Sequence, residues 1–216
     1  MKPQRITVIG GTGYAGSAIA REAARRGHSV TVVSRSTSVG PLSGVRYIAS
    51  PATGPEALAA VNEADTVVGA LSPRAETSGT LPTVYGQLAS QASVAGTRFL
   101  VVGGFSCLRP TSGAPRIIEN PEGFPPEILP EARENLDVLN ELLVDTTGVD
   151  WLFVCPGLEF SALTPGDDLG HYRVGDDVVL HDEHGKSAIS GIDFARAVLD
   201  EIEAPTRHRA QIHFAH

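Results

Sequence analysis

Apolar and polar positions along this chain follow two periods in turn, and the periods predict alternating strands and helices. The β-branched run Ile6–Ile9 predicts a buried strand. A helical stripe with Ala15, Ile19 and Ala23 on one side follows, and Val30–Val33 is a second β-branched run. Together they form a strand–helix–strand unit of about 30 residues, the size expected for a parallel βαβ unit.

The same alternation continues to the carboxyl terminus. Further strands are predicted at 45–48, 65–71, 98–102, 151–155 and 210–214, and further helices at 55–61, 82–94, 131–144 and 190–203. In the helix at 131–144, Ala132, Leu136, Leu139 and Leu143 are expected to face inward. Tyr172–Val174 and Val178–Leu180 predict a hairpin, and the proline-rich segment 109–130 predicts an ordered loop over a pocket.

This order predicts an α/β fold with a Rossmann-like, doubly wound and mainly parallel sheet of about seven strands. We expect one domain, 1–216. Residues 1–157 would form the Rossmann core, and 158–216 would add a hairpin, a helix and a strand on the acceptor side.

A glycine-rich turn connects the first predicted strand to the first predicted helix. Its sequence is Gly10-Gly11-Thr12-Gly13-Tyr14-Ala15-Gly16. Glycine permits a tight turn, a close approach of main-chain N–H groups to a pyrophosphate, and close packing of the helix on the sheet. The positive end of the helix dipole would face the phosphates. Since a strand precedes and an amphipathic helix follows, the motif predicts dinucleotide binding.

The end of the second strand is expected to select the nucleotide. An Asp or Glu there would hydrogen-bond the ribose of NAD, but this chain has Ser34-Arg35-Ser36. A guanidinium between two hydroxyls suits a 2′-phosphate, so the sequence favours NADP(H) over NAD. The alternative is that Arg35 is a solvated surface arginine.

Composition and charge exclude several functional classes. The 216 residues are 42% hydrophobic and 19% charged, with a net charge of −8, which argues against nucleic-acid binding. Neither a signal peptide nor a membrane-spanning run is recognised, so we expect a cytoplasmic monomer or homodimer whose partner is a small-molecule acceptor. Two cysteines do not make a disulfide framework.

Several polar groups near predicted strand ends are candidates for chemistry. Ala70-Leu71-Ser72 should lie at the carboxyl edge of the sheet, where ligands bind in open α/β folds. Ser106 and Cys107 are candidates near the acceptor, or else a turn hydroxyl and an inert thiol. Cys155 could approach Cys107 as a redox pair. His181-Asp182-Glu183-His184 could be drawn as metal ligands but more simply caps a hairpin, and no metal site is predicted.

The sequence resembles a known group over essentially its whole length. The resemblance rests on the glycine run, Arg35, Ala70-Leu71, Val102-Gly103-Gly104, Tyr172–Gly175, Ser187–Ser190, Asp193–Ala195, Leu199–Glu201 and Pro205. The group is the atypical short-chain dehydrogenases/reductases that bind NAD(P)H. Within it the chain is similar to the NADH-flavin reductases and the biliverdin reductase B type, and the NmrA-like regulators are relatives.

The resemblance implies an NADP-binding Rossmann fold, hydride transfer to flavin-like or quinone-like acceptors, and a set of contacts. Gly10, Thr12, Gly13, Tyr14 and Ala15 would hold the pyrophosphate, Ser34 and Arg35 the 2′-phosphate, Leu71 and Ser72 the ribose next to the nicotinamide, and Gly103 and Pro156 the nicotinamide pocket. Two departures stand out. Ser50-Pro51 replaces an Asp that often meets the adenine, and the larger Phe105 would alter the acceptor pocket.

The Tyr–Lys pair of ordinary members, one helical turn apart, is missing. Four residues after the tyrosines stand Ala18, Pro51, Ala89 and Asp176, and the only lysines are Lys2 and Lys186. Hydride transfer to a flavin needs proximity and stacking above all, since solvent can supply the proton. The sequence therefore predicts an NADPH-dependent reductase with flavin as a possible substrate, or alternatively a non-catalytic NADP(H) sensor.

Overall fold

A single sheet with helices on both faces forms the protein. The computed structural model describes residues 2–35, 40–73, 78–122 and 124–216. The strands are β1 Arg5–Ile9, β2 Ser29–Ser34, β3 Arg46–Ala49, β4 Thr66–Gly69, β5 Arg98–Val102, β6 Trp151–Pro156, β7 Arg173–Gly175 and β8 Ala210–Ala215. The α-helices are α1 Tyr14–Arg25, α2 Pro55–Asn62, α3 Leu81–Ala95, α4 Leu129–Leu143 and α5 Gly191–Glu203. Short 3₁₀ helices cover Phe105–Cys107 and Ile117–Glu119.

The strand order is β3-β2-β1-β4-β5-β6-β8-β7, and every pairing is parallel except that of β7 with β8. This confirms the predicted Rossmann-like, doubly wound sheet. Because the parallel strands point the same way, the residues after Ile9, Ser34, Gly69, Val102 and Pro156 all emerge at one edge, the carboxyl edge.

Two hydrophobic clusters cover the two faces of the sheet. One contains Ile19 of α1 and Phe194 of α5, and the other contains Tyr85 of α3 and Leu139 of α4. The strands between them are buried on both sides, as their continuous apolar runs predict. In the described part of the chain, no helix combines the length and the apolar character needed to cross a membrane.

Two predicted details differ from the structure. Within the described residues the sheet has eight strands rather than about seven, because Arg173–Gly175 pairs with β8 instead of forming a hairpin with Val178–Leu180. Val178 bridges to Arg109, so the second predicted strand holds the 109–130 segment in place. In α4 the predicted inward position of Leu143 is wrong: Leu143 is 53% exposed, and Leu142 takes the inward position because the stripe advances by three residues after Leu139.

Asp193 ties the segment after β6 to α5. Its side chain is fully buried. The carboxylate accepts hydrogen bonds from the main-chain N–H groups of Leu169 and Gly170, the Ser190 hydroxyl, the Arg196 guanidinium and the His216 ring. Burial alone would raise the pKa of Asp193, but the bonds from Leu169, His216 and Ser190 outweigh it and hold the pKa below its ordinary value.

We predict that Asp193→Ala lowers the free energy of unfolding by about 3 kcal/mol, because it leaves buried donors and a partly buried guanidinium without their acceptor. Since the folded pKa is depressed, this stabilisation is present above about pH 4 and is lost as the pH falls through the folded pKa. Urea unfolding of both proteins across that range checks it, with the exposed Asp167→Ala as the control. An equal stability of wild type and Asp193→Ala at neutral pH would contradict this role.

Candidate functional site

The turn after β1 can be made only by glycine. Gly10 has φ +84°, and a Cβ there would lie 2.4 Å from the Ala70 carbonyl oxygen. The turn is tied to both neighbouring strands, since Gly10 N–H donates to the Val33 oxygen at 2.8 Å and Ala70 N–H donates to the Ile9 oxygen at 2.8 Å. The end of β1 therefore lies directly against the end of β4.

Gly16 brings α1 close to this turn. A Cβ on Gly16 would lie 2.4 Å from the Gly10 oxygen, so any larger residue would push the helix away. The N-cap is Gly13, no side chain caps the helix, and Ser17 N–H is the first to bond back, to the Gly13 oxygen at 2.9 Å. The N–H groups of the first turn thus have no partner within the helix, and no acidic residue stands there. An anion fits this end of α1.

The predicted pyrophosphate residues lie around this helix terminus. Thr12 and Gly13 are exposed, and Ala15 is half-buried. The side chain of Tyr14 turns away: its hydroxyl donates to the Pro165 oxygen at 3.0 Å and accepts from Gly191 N–H at 2.9 Å. Tyr14 can therefore offer a phosphate its main-chain N–H, while its ring ties the glycine turn to α5.

The predicted 2′-phosphate and adenine residues lie on adjacent strands. Ser34 ends β2 half-buried, Arg35 follows it exposed, and Ser36 lies outside the described residues. Ser50 follows β3 and is 4% exposed. Its hydroxyl contacts the Pro51 oxygen at 3.1 Å and the Glu56 carboxylate at 3.3 Å, so it holds the start of α2.

The residues after β4 are fixed by a tyrosine that the sequence did not single out. Leu71 N–H donates to the Tyr85 hydroxyl at 3.0 Å, and a Cβ on Gly69 would lie 2.4 Å from the Tyr85 ring. Leu71 is half-buried and Ser72 is exposed. Tyr85 sits on the apolar stripe of α3, and a stripe position carries no local signal for a hydrogen bond to another element.

The two residues predicted for the nicotinamide pocket lie at the ends of neighbouring strands, Gly103 directly after β5 and Pro156 within β6. Gly103 N–H donates to the Val154 oxygen at 2.9 Å, and a Cβ on Gly103 would lie 2.1 Å from the Phe153 ring. Pro156 is the last residue of β6 and is buried. The structure thus brings Gly103 and Pro156 to one place at the carboxyl edge.

The thiols and Ser106 are all buried. Ser106 is 2% exposed, and Cys107 and Cys155 are free cysteines at 0% exposure. Burial raises the pKa of Cys107 to about 12 and also raises the pKa of Cys155. Gln211 donates from Nε2 to the Cys107 oxygen at 3.1 Å and to the Cys155 sulfur at 3.3 Å. Both thiols are therefore protonated at neutral pH, which disfavours redox reactivity.

The His181–His184 segment forms a turn. The Asp182 carboxylate accepts from the main-chain N–H groups of His184 at 2.9 Å and Lys186 at 2.8 Å, and the His181 ring contacts the Gly185 oxygen at 3.0 Å. The described residues contain no group of three or more His, Cys, Asp or Glu side chains that could hold a metal ion. The polar side chains of this segment therefore hydrogen-bond to the main chain of their own turn.

Comparisons with known proteins agree with this geometry. The profile of a family described as NAD(P)H-binding matches residues 10–205. The uncharacterised protein YwnB of Bacillus subtilis (strain 168) is 34% identical over 205 residues, which are 93% of each chain. The crystal structure of a candidate NADH-flavin reductase from Streptococcus pneumoniae TIGR4 superposes with a TM-score of 0.85 at 30% identity, covering 98% of this chain and 99% of that one. A candidate exported protein from Burkholderia pseudomallei gives 0.85 at 33% identity, covering 99% and 100%.

The glycine turn yields a paired prediction. Gly13→Ala should leave the stability within about 1 kcal/mol of wild type, because its Cβ would make an ordinary 3.5 Å contact with the Gly10 oxygen. It should nevertheless weaken NADPH binding about tenfold or more, because the methyl group stands beside the free N–H groups of α1. Gly16→Ala should instead destabilise the fold by about 1–3 kcal/mol.

Urea unfolding and the change in NADPH fluorescence on binding measure the two effects. Gly86→Ala, on the exposed side of α3, is the matched control and should leave nucleotide affinity unchanged. Wild-type affinity in Gly13→Ala would contradict the placement of the phosphates at this helix end.

Proposed function

Because the chain belongs to the NAD(P)H-binding family, we propose that it is an NADPH-dependent oxidoreductase that transfers hydride to a flavin-like or quinone-like acceptor. The observation that carries the proposal is the uncapped start of α1, held against the ends of β1 and β4 by Gly10 and Gly16. A coenzyme whose pyrophosphate binds there would supply the hydride from its reduced nicotinamide. The name of the Streptococcus pneumoniae relative supports a flavin as the acceptor.

The position of Arg35 supports NADPH over NADH. Arg35 is exposed and directly follows β2 at the carboxyl edge. Strand β2 pairs with β1, which leads into the glycine turn. The sequence places no carboxylate among residues 34–36 that could pair with a free ribose and repel a phosphate. A guanidinium here offers charge and a fork of donors to a 2′-phosphate.

We predict that Arg35→Ala raises the Kd for NADPH about tenfold or more, the factor that about 1.4 kcal/mol of lost charge-assisted hydrogen bonding produces. The Kd for NADH should stay unchanged, because NADH has no 2′-phosphate. Titration calorimetry with both nucleotides measures this. Arg46→Ala is the matched control, since Arg46 is an exposed arginine at the start of β3, the opposite edge of the sheet. Equal losses for NADPH and NADH would refute the assignment.

The missing Tyr–Lys pair limits the chemistry. Lys186 lies between β7 and α5, is exposed, and pairs with Glu159 at 3.0 Å. A carbonyl reduction that relies on an ammonium-assisted tyrosine therefore has no such pair to use. Hydride transfer between stacked rings needs positioning above all.

A non-catalytic NADP(H) sensor is the second candidate, since the absence of the pair fits it equally. We predict that the purified protein oxidises NADPH when FMN, FAD or a quinone is supplied. The loss of reduced-nicotinamide absorbance measures this oxidation. Tight nucleotide binding without turnover of any of these acceptors would favour the sensor.

A further inference from the structure

The start of α3 is capped by a side chain from another helix. The side chain of its N-cap residue, Thr80, does not cap it, and the first turn of this fully described helix holds no acidic residue. Glu134 of α4 takes that place. Its carboxylate accepts from Gly79 N–H at 2.8 Å through Oε1 and from Leu81 N–H at 3.1 Å through Oε2. The position of α3 is therefore set from α4.

The Glu134 carboxylate is suited to this role. It is 9% exposed. A carboxylate that accepts main-chain N–H groups at the start of a helix forms charge-assisted bonds and lies at the positive end of the helix dipole. Since burial of a charge is unfavourable without such bonds, the side chain stays where both N–H groups can reach it.

The first turn of α3 connects this cap to the end of β4. Leu81 and Tyr85 are one helical turn apart, so they lie on the same face of α3, and both are buried. The Tyr85 hydroxyl accepts from Leu71 N–H at 3.0 Å. The Tyr85 ring is held in turn by Phe99 of β5, with ring centroids 6.2 Å apart. A contiguous series of contacts thus leads from Glu134 to the main chain at Leu71.

We propose that Glu134 is a positioning residue for the nicotinamide half of the coenzyme. It holds the start of α3, and through Tyr85 it holds the main chain at Leu71 and Ser72, where the ribose next to the nicotinamide would bind. A segment that is already ordered loses less conformational entropy when a ligand binds, so the cap raises affinity without touching the coenzyme. This inference rests on the proposed function.

The two halves of the coenzyme should respond differently to loss of the cap. The 2′-phosphate is expected next to Arg35 after β2, whereas Leu71 and Ser72 follow β4, and β1 lies between these two strands. Adenosine 2′,5′-bisphosphate carries only the adenine half and would not reach Leu71 or Ser72. A comparison of NADPH with this half-coenzyme therefore separates positioning at β4 from a general loss of structure.

Glu134→Ala is expected to raise the Kd for NADPH about tenfold and to leave the Kd for adenosine 2′,5′-bisphosphate within about twofold of wild type. Glu134→Gln keeps one oxygen for one of the two N–H groups, so its NADPH Kd should rise only about threefold. Asp137→Ala removes an exposed carboxylate three residues further along α4. It is the matched control and should change neither Kd. Titration calorimetry with both ligands measures these values.

Tyr85→Phe tests the same series of contacts from its other end. It removes only the hydroxyl that accepts from Leu71, and it should also weaken NADPH binding while sparing the half-coenzyme. Because both side chains act on one segment, the rise in the double variant Glu134→Gln/Tyr85→Phe should be smaller than the product of the two single rises. If Glu134→Ala does not fold, these two single variants and their combination supply the test.

An unchanged NADPH Kd in Glu134→Gln, or an equal rise for both ligands, would overturn the role of Glu134. Since the readouts are binding constants, a protein that binds NADPH without turnover fails the proposed reaction, while the expected pattern would still support Glu134. A wild type that binds neither ligand would contradict nucleotide binding itself and this role with it.

Discussion

The contact between the Gly10 carbonyl and the start of α1 is the constraint on which the rest of the site depends. Gly10 must be glycine because its turn brings β1 against the Ala70 oxygen, and Gly16 must be glycine because it lies on the Gly10 oxygen. Together they place an uncapped helix terminus at the carboxyl edge. The dipole and free N–H groups of that terminus attract an anion, and no acidic residue in the first turn of α1 opposes it.

The segment between β6 and α5 contacts this glycine turn through Tyr14. The Tyr14 hydroxyl joins the Pro165 carbonyl to the first N–H of α5, and the buried Asp193 gathers the same segment and α5 around one carboxylate. Specific polar contacts therefore hold the segment after β6 against the start of α1 and against α5.

Local patterns in the sequence were enough to predict most of the fold. The β-branched runs, the glycine turn and the helical stripes gave the βαβ order and the parallel core, because period and turn chemistry are local. They failed where tertiary contacts decide. Arg173–Gly175 pairs with β8, Leu142 replaces Leu143 in the core, and Tyr85 acts through a partner on another element. The glycine positions of the site were predictable, whereas the bond from Leu71 to Tyr85 depends on α3 meeting the end of β4 in space.

We infer that bare main-chain N–H groups at the start of α1 bind the pyrophosphate of a nicotinamide coenzyme. A crystal structure of the protein grown with NADP⁺ tests it most directly. We expect pyrophosphate oxygens within hydrogen-bond distance of the N–H groups of Tyr14 and Ala15. A nucleotide bound elsewhere, or a crystal that takes up none at saturating concentration, would contradict it.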